Sequence, residues 1–389
     1  MKKVYLDNAA TTQLNQKVVD EMTSVLVNSY GNPSSTHFFG RDSKTIIELS
    51  RKFIANMFNV KPKEIFFTSG GTESNNMIIK SCIEQGVERI ITTKIEHKAV
   101  LNPVLNLRNE KKIELEFLNI DHEGNPDLNE LESLLLKPKK TLVSLMHINN
   151  EIGTMIDLKK IGSICHSHNA MFHSDTVQTI GHFPLDLSLI NIDFITCSAH
   201  KFHGPKGVGF AYINEKNKAY PLIMGGEQER GLRGGTESTH NIHGLKIALE
   251  EAYNNLLDDQ KKVKSLKQLF LKRIHESVEN VEINGNLNES SYTILNLRFP
   301  ITKDKKDLIN FKLELAGIAC SSGSACQSGS SQPSHVLSEI LTTEEMKKIS
   351  LRFSFSKFNS KNEIIYAVDS LKNILSECYP LIQCFSIPN

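Results

Sequence analysis

The chain has 389 residues, of which 39% are apolar and 23% charged, enough to bury a sizeable core without disulfides or metal. Its 45 basic and 44 acidic residues leave a formal charge of +1, which supplies no net pull toward nucleic acid or an anionic membrane. Seven cysteines, an odd and widely spaced set, argue against a disulfide framework and for a reducing cytoplasmic setting.

Met1 to Asp7 carries two lysines with no apolar stretch behind them, unlike a signal peptide, and no run is long enough to span a bilayer. His166 with His168, and His200 with His203, lack thiol or carboxylate partners at zinc-like spacing, so no structural metal is expected. From about residue 60 to 215 short β-rich runs alternate with helical stretches. Ile65–Phe67, Arg89–Thr92, Leu115–Leu118, Thr141–Met146, Met171–His173, Phe194–Thr196 and Gly207–Tyr212 read as strands. Leu158 to Asn169, with apolar Leu158, Ile161, Ile164 and Cys165, has helical spacing. This alternation predicts an α/β fold with a mostly parallel seven-stranded sheet covered by helices on both faces. Ligands bind such sheets at the carboxyl ends of the strands.

Beyond about residue 255 the pattern changes. A charged helix, Lys261 to Val278, leads to a strand over Tyr292–Phe299, an amphipathic helix over Asp307–Ala316, a strand over Ile349–Phe355 and a terminal helix from Lys361 to Cys378. This reads as a smaller α+β domain. The expected division is a large domain over 14–255 and a small one made of 1–13 and 256–389. Between helix and strand, eight of the eleven residues from Ser321 to Ser331 are Ser or Gly.

Three motifs fall after strand runs. Lys201 follows Ser198-Ala199-His200. A desolvated lysine has a depressed pKa and becomes a nucleophilic amine, the group needed to bond an aldehyde cofactor. Alone, it also reads as a strand-end lysine reaching solvent. Asp175, in His173-Ser174-Asp175, could keep a pyridine nitrogen protonated, with Gln178 on the ring hydroxyl; it could equally be a helix N-cap. Thr68-Ser69-Gly70-Gly71-Thr72-Glu73-Ser74 opens a helix, and its small residues suit a phosphate cradle or a plain glycine turn capped by Thr72. Cys326 sits in the Ser/Gly-rich stretch, where few contacts fix a backbone, as a mobile nucleophile or a free linker cysteine.

In order along the chain, these motifs resemble the cysteine desulfurases of the NifS/IscS type, class V aminotransferases of fold type I that use pyridoxal 5'-phosphate. The resemblance spans nearly the whole chain. Its other carriers are Tyr5 to Thr12, Gly31 to Ser35, Glu96 to Val100, Asn149 to Gly153, Gly204 to Gly207, Glu229 to Thr236 and Leu351 to Ser354. It implies that Lys201 bonds the cofactor aldehyde, Asp175 pairs with the pyridinium and Gln178 with the ring hydroxyl. Gly71, Thr72, Ser198 and His200 hold the phosphate, and Thr236 reaches the phosphate of the other subunit of a homodimer. His97 stacks on the ring and assists proton transfer; a satisfied core histidine is its plainer reading. Asn150 and Arg352 bind the substrate carboxylate, Asn150 also touching the cofactor. Cys326 takes sulfur from L-cysteine as a persulfide, releasing L-alanine, and passes it to an iron–sulfur scaffold or other acceptors in tRNA or cofactor thiolation. Neither nucleic acid nor membrane is an expected partner. A selenocysteine lyase or another sulfur amino acid lyase is the alternative, with a plain aminotransferase and a catalytically silent sulfur carrier further off. Within the resemblance, Gln327 and Ser331-Gln332 depart from the usual residues after the cysteine.

Overall fold

The computed structural model describes residues 2–322 and 334–378. In chain order its strands are β1 (Val4–Tyr5), β2 (Ile65–Thr68), β3 (Arg89–Thr92), β4 (Glu114–Phe117), β5 (Thr141–Ser144), β6 (Met171–Asp175), β7 (Phe194–Ser198), β8 (Gly209–Ile213), β9 (Glu282–Ile283), β10 (Ile294–Thr302), β11 (Ile318–Ala319) and β12 (Lys348–Ser354). The helices are α1 (Gln16–Asn28), α2 (Phe38–Met57), α3 (Gly71–Glu84), α4 (Lys98–Asn109), α5 (Leu128–Leu135), α6 (Leu158–Ser167), α7 (Thr239–Asn254), α8 (Leu256–Ser277), α9 (Lys306–Leu315), α10 (Leu337–Ile340) and α11 (Lys361–Cys378).

Seven strands form one sheet in the order β2-β8-β7-β6-β5-β3-β4, and β8 alone runs against its neighbours. The expected mostly parallel sheet is therefore present. Its inner strands are buried almost throughout, because helices cover both faces and residues pointing either way are enclosed. Ile91, Val143, Phe172 and Ile195 pack on one face with Val18, Ile47, Ile54, Leu245 and Ala248 of α1, α2 and α7. Ile90, Leu142 and Phe194 pack on the other with Met77, Ile78, Val100 and Val104 of α3 and α4. The edge strand β4, Glu-Leu-Glu-Phe, is only half-buried.

A second, antiparallel sheet has the order β12-β10-β9. It packs on α8 and α11 through Phe270, Ile274, Leu297, Phe353, Val368 and Leu371. The N-terminus belongs with this layer, since β1 pairs in parallel with β11 and Val4 and Leu6 lie in the same apolar cluster. Several boundaries differ from expectation by one or more residues, two of them in this layer with a structural reason. The helix α8 starts at Leu256, five residues before Lys261, with only Asn255 between it and α7. Strand β10 starts at Ile294 and continues to Thr302 past Pro300, with a register irregularity after Phe299.

Candidate active site

Strands β6 and β7 end side by side, with Asp175 paired to Thr196. Past β7 the chain makes a 3-10 turn over Ala199–Lys201 that presents Lys201. The lysine Nζ donates to the carbonyls of Ala9, at 2.7 Å, and Ala10, at 2.8 Å. Gln178 Nε2 donates to the same Ala9 oxygen at 3.0 Å. The N-terminal segment thus draws lysine and glutamine to one point, and the amine is held by protein carbonyls.

Asp175 is 6% exposed. Its Oδ1 accepts from the Val177 amide at 3.0 Å and its Oδ2 from Asn75 Nδ2 at 2.7 Å. The Val177 contact is of the capping kind, but no α-helix follows it; residues to Leu187 form turns and loop, so the N-cap alternative is not what the fold uses. His97 caps α4, its Nδ1 accepting from the Ala99 amide at 3.1 Å. Burial pulls the His97 pKa below its ordinary value; the charge of Asp175 opposes this and that of Lys201 adds to it.

The N-cap of α3 is Gly70 and not Thr72, and among the described residues no side chain caps this end. Thr72 is exposed in the first turn. The first amides of a helix lack internal partners and carry the positive end of its dipole, which suits an anion. Close packing requires glycine here. Gly70 has φ +146°, and a Cβ on Gly71 would stand 2.9 Å from Val177 Cγ2. Ser198 Oγ lies against the same loop, 3.3 Å from where a Cβ on Gly70 would be. His200 Nδ1 is 3.1 Å from Thr11 Oγ1, and burial, with Lys201 and Lys206 adding, lowers its pKa to about 4, so the ring is neutral. An uncapped small-residue cradle, a buried carboxylate and a lysine at adjacent strand ends fit pyridoxal phosphate by charge and by donor type.

Arg352 reaches the site from β12 and is 3% exposed. Its Nη1 donates to the Asn150 carbonyl at 2.7 Å and its Nη2 to Asp7 Oδ1 at 2.8 Å. Its buried Nε has no partner among the described residues. Asn150 stands at a turn built by Asn149, whose Oδ1 accepts from the amides of Glu151 and Ile152 at 2.8 and 3.1 Å. Cys326 lies outside the described residues, but the chain on either side of it is placed. Ser321 exchanges backbone hydrogen bonds with Arg352, and Ser334 donates to the Glu151 carboxylate. His335 Nε2 meets the Glu96 carbonyl at 2.9 Å. Thr236 is exposed and follows Arg233, which is bridged to Glu73 of α3 at 3.0 Å.

Asn75, Asp7, Glu151 and the Ala9 and Ala10 carbonyls carry contacts that the sequence reading gave no role. Asn75 had a signal, since it lies one helical turn after Gly71 on the helix that the glycine loop opens. Among the described residues no cluster of His, Cys, Asp and Glu could hold a metal ion, and no helix is long and apolar enough to cross a membrane.

The profile of the class-V aminotransferases matches residues 4–366. The chain belongs to that family. It is 39% identical over 379 residues to the protein named cysteine desulfurase IscS from Dictyoglomus turgidum, covering 97% of this chain and 95% of that protein. A solved structure of a NifS-like protein superposes with a TM-score of 0.89 at 35% identity, covering 97% of this chain and all of the other. The structure described as SspA in complex with cysteine superposes with a TM-score of 0.80 at 31% identity, over 92% of this chain and 99% of that one. The resemblance to NifS/IscS-type cysteine desulfurases that the motifs carry is thereby borne out over almost the full length.

Proposed function

We propose that this chain is a pyridoxal 5'-phosphate-dependent cysteine desulfurase that converts L-cysteine to L-alanine and receives the sulfur on Cys326. The observation that carries this reading is where the described residues on either side of Cys326 lie: Ser321 is hydrogen-bonded to Arg352, and Ser334 to Glu151 beside Asn150. A plain aminotransferase has no use for a thiol in the sequence between them. The cysteine desulfurase relatives favour this reading over a selenocysteine lyase.

The cofactor's phosphate would lie at Gly71, Thr72, Ser198 and His200, its ring between His97 and the Asp175–Gln178 pair, and its aldehyde at Lys201. When bound, it supplies an aldehyde for the substrate amine and a ring that accepts the electron pair left at Cα. The chain's own groups do the rest. Arg352 and Asn150 hold the substrate carboxylate, for which a guanidinium is a bidentate partner. Lys201, released as an amine, carries the Cα proton, and neutral His97 assists. Cys326, as thiolate, bonds to the substrate sulfur while the Cβ–S bond breaks. The electron pair stays with Cβ and is protonated, so L-alanine leaves and a persulfide remains. Sulfur then passes to an acceptor, an iron–sulfur scaffold in this reading, and Thr236 completes the cofactor site of a partner subunit in a cytoplasmic homodimer. Residues 1–13 and 256–389 act as a small domain carrying the cysteine segment toward a large domain over 14–255.

Colour tests the cofactor half of this reading. The purified protein is expected to be yellow and to bleach with borohydride, and Lys201→Ala to lose both the lysine-linked absorbance and turnover. Robust activity in Lys201→Ala without added amine contradicts the assignment.

A further inference from the structure

Behind Asp175 lies a buried row of polar side chains that the proposed chemistry does not use. Asn75, Ser144, His173 and Thr196 are each 0% exposed. They come from α3, β5, β6 and β7, and the sheet register sets Ser144 beside His173 and Thr196 beside Asp175. Ser144 Oγ is 2.8 Å from His173 Nδ1, and His173 Nε2 is 3.3 Å from Thr196 Oγ1. Thr196 Oγ1 donates to Asn75 Oδ1 at 2.7 Å, and Asn75 Nδ2 donates to Asp175 Oδ2 at 2.7 Å.

The donor inventory of these groups leaves two self-consistent directions. In one, Ser144 donates to His173 Nδ1, His173 Nε2–H to Thr196, Thr196 to Asn75 Oδ1, and the Asn75 amide to the carboxylate. Each member uses its proton once, and Asp175 needs none. The reverse direction requires a proton on Asp175, a flipped Asn75 amide and a His173 proton on Nδ1. Only the first leaves Asp175 an acceptor for a pyridinium N–H.

We propose that Asn75 is a positioning residue which holds Asp175 as the acceptor for the cofactor's ring nitrogen, and that the Ser144–His173–Thr196 chain fixes the amide of Asn75 in the donating orientation. This deepens the desulfurase reading and rests on it. Burial supports the polarity by lowering the His173 pKa to about 4, so its ring is neutral and has one donor and one acceptor nitrogen. Glu96, His97 and Cys197 are among the other titratable groups that feel the charge of Asp175. Burial raises the pKa of Glu96 and Cys197 and lowers that of His97, which favours the neutral form of each beside Asp175.

The test compares the full-length wild-type chain with Asn75→Leu and Thr196→Val. Three quantities are read: the affinity of the apo chain for pyridoxal 5'-phosphate, the pH titration of the bound cofactor's absorbance, and the His173 tautomer from nitrogen-15 histidine NMR of the apo wild type. Thermal melting checks that each variant folds. Loss of a hydrogen bond to a charged acceptor predicts cofactor affinity weaker by about tenfold or more in Asn75→Leu, with a displaced absorbance titration. Thr196→Val, isosteric and one step further back, is expected to move both in the same direction by less, and it carries the test if Asn75→Leu does not fold. The wild-type His173 is expected to bear its proton on Nε2. Wild-type affinity and titration in both variants, or a His173 proton on Nδ1, overturns the inference. A wild-type chain that does not bind the cofactor overturns the functional reading instead.

Discussion

Asp7 Oδ1 accepts a hydrogen bond from Arg352 Nη2 at 2.8 Å, joining side chains 345 residues apart. The N-terminal segment thereby orients the guanidinium, while Nη1 is held by the Asn150 carbonyl. A lysine cannot replace this fork, because one ammonium cannot meet Asp7, Asn150 and a substrate carboxylate in fixed planar geometry. Arg352→Lys is expected to raise KM for L-cysteine by about ten- to a hundredfold with the fold intact. An unchanged KM, measured by alanine production, places the carboxylate elsewhere.

The Arg51–Glu229 pair is built differently. Arg51 Nη1 and Nη2 each donate to the Glu229 carboxylate at 2.7 Å, with side chains 2% and 1% exposed. Glu229 also accepts the Phe67 amide at 2.9 Å and sits at φ +47°, fixing the start of the segment that leads to Thr236. Removing one partner strands a buried charge. Arg51→Ala is expected to cost about 3–5 kcal/mol in urea unfolding, and a paired apolar replacement of both residues considerably less. Equal losses in the single and paired variants contradict this.

Glu96 gives a prediction of pH slope. It is 1% exposed, accepts the Met146 amide at 2.6 Å on one oxygen, and burial holds its pKa well above the ordinary carboxylate value. Above about pH 4.5 the unfolded state releases this proton while the folded state keeps it, so its contribution to stability falls as pH rises. Glu96→Gln removes that penalty. Its melting temperature relative to wild type is expected to improve steadily between pH 5 and pH 8; a flat difference means that Glu96 is ionised in the fold.

The buried histidines act with the opposite sign. Burial lowers His147, His173 and His200 to about 4 and His203 to about 3, from an ordinary value of 6.5. Below pH 6.5 the unfolded chain binds protons that the folded chain does not, so stability falls as pH drops from 6.5 toward 4. Thermal melts across that window are expected to show the loss, and a melting temperature constant from pH 7 to pH 4.5 contradicts it.

The strands are legible because Ile65–Thr68, Thr141–Ser144 and Phe194–Ser198 are buried on both faces and so read as short runs of apolar and small β-forming residues without charge. Helix ends were less so. Residues 256–260 continue α8 beyond the charged run because Leu256 is buried against the fold, a tertiary effect that periodicity does not carry. The strand-end positions of Lys201 and Asp175 could be read because they follow such runs directly. Asp7 could not be given a role, since its partner is 345 residues away, nor could the hold of Ala9 on Lys201, which uses a backbone oxygen. The plainer alternative, a glycine turn capped by Thr72, is not what the fold uses, because Gly70, which has no side chain, takes the cap position.

The most direct test of the account is release of alanine and sulfide from L-cysteine under reducing conditions by the wild-type chain and by Cys326→Ala. The account predicts both products from the wild type, and neither from the variant although it stays folded and retains cofactor. A Cys326→Ala chain that still releases alanine and sulfide contradicts it, because Cys326 would then not be the group that takes the sulfur.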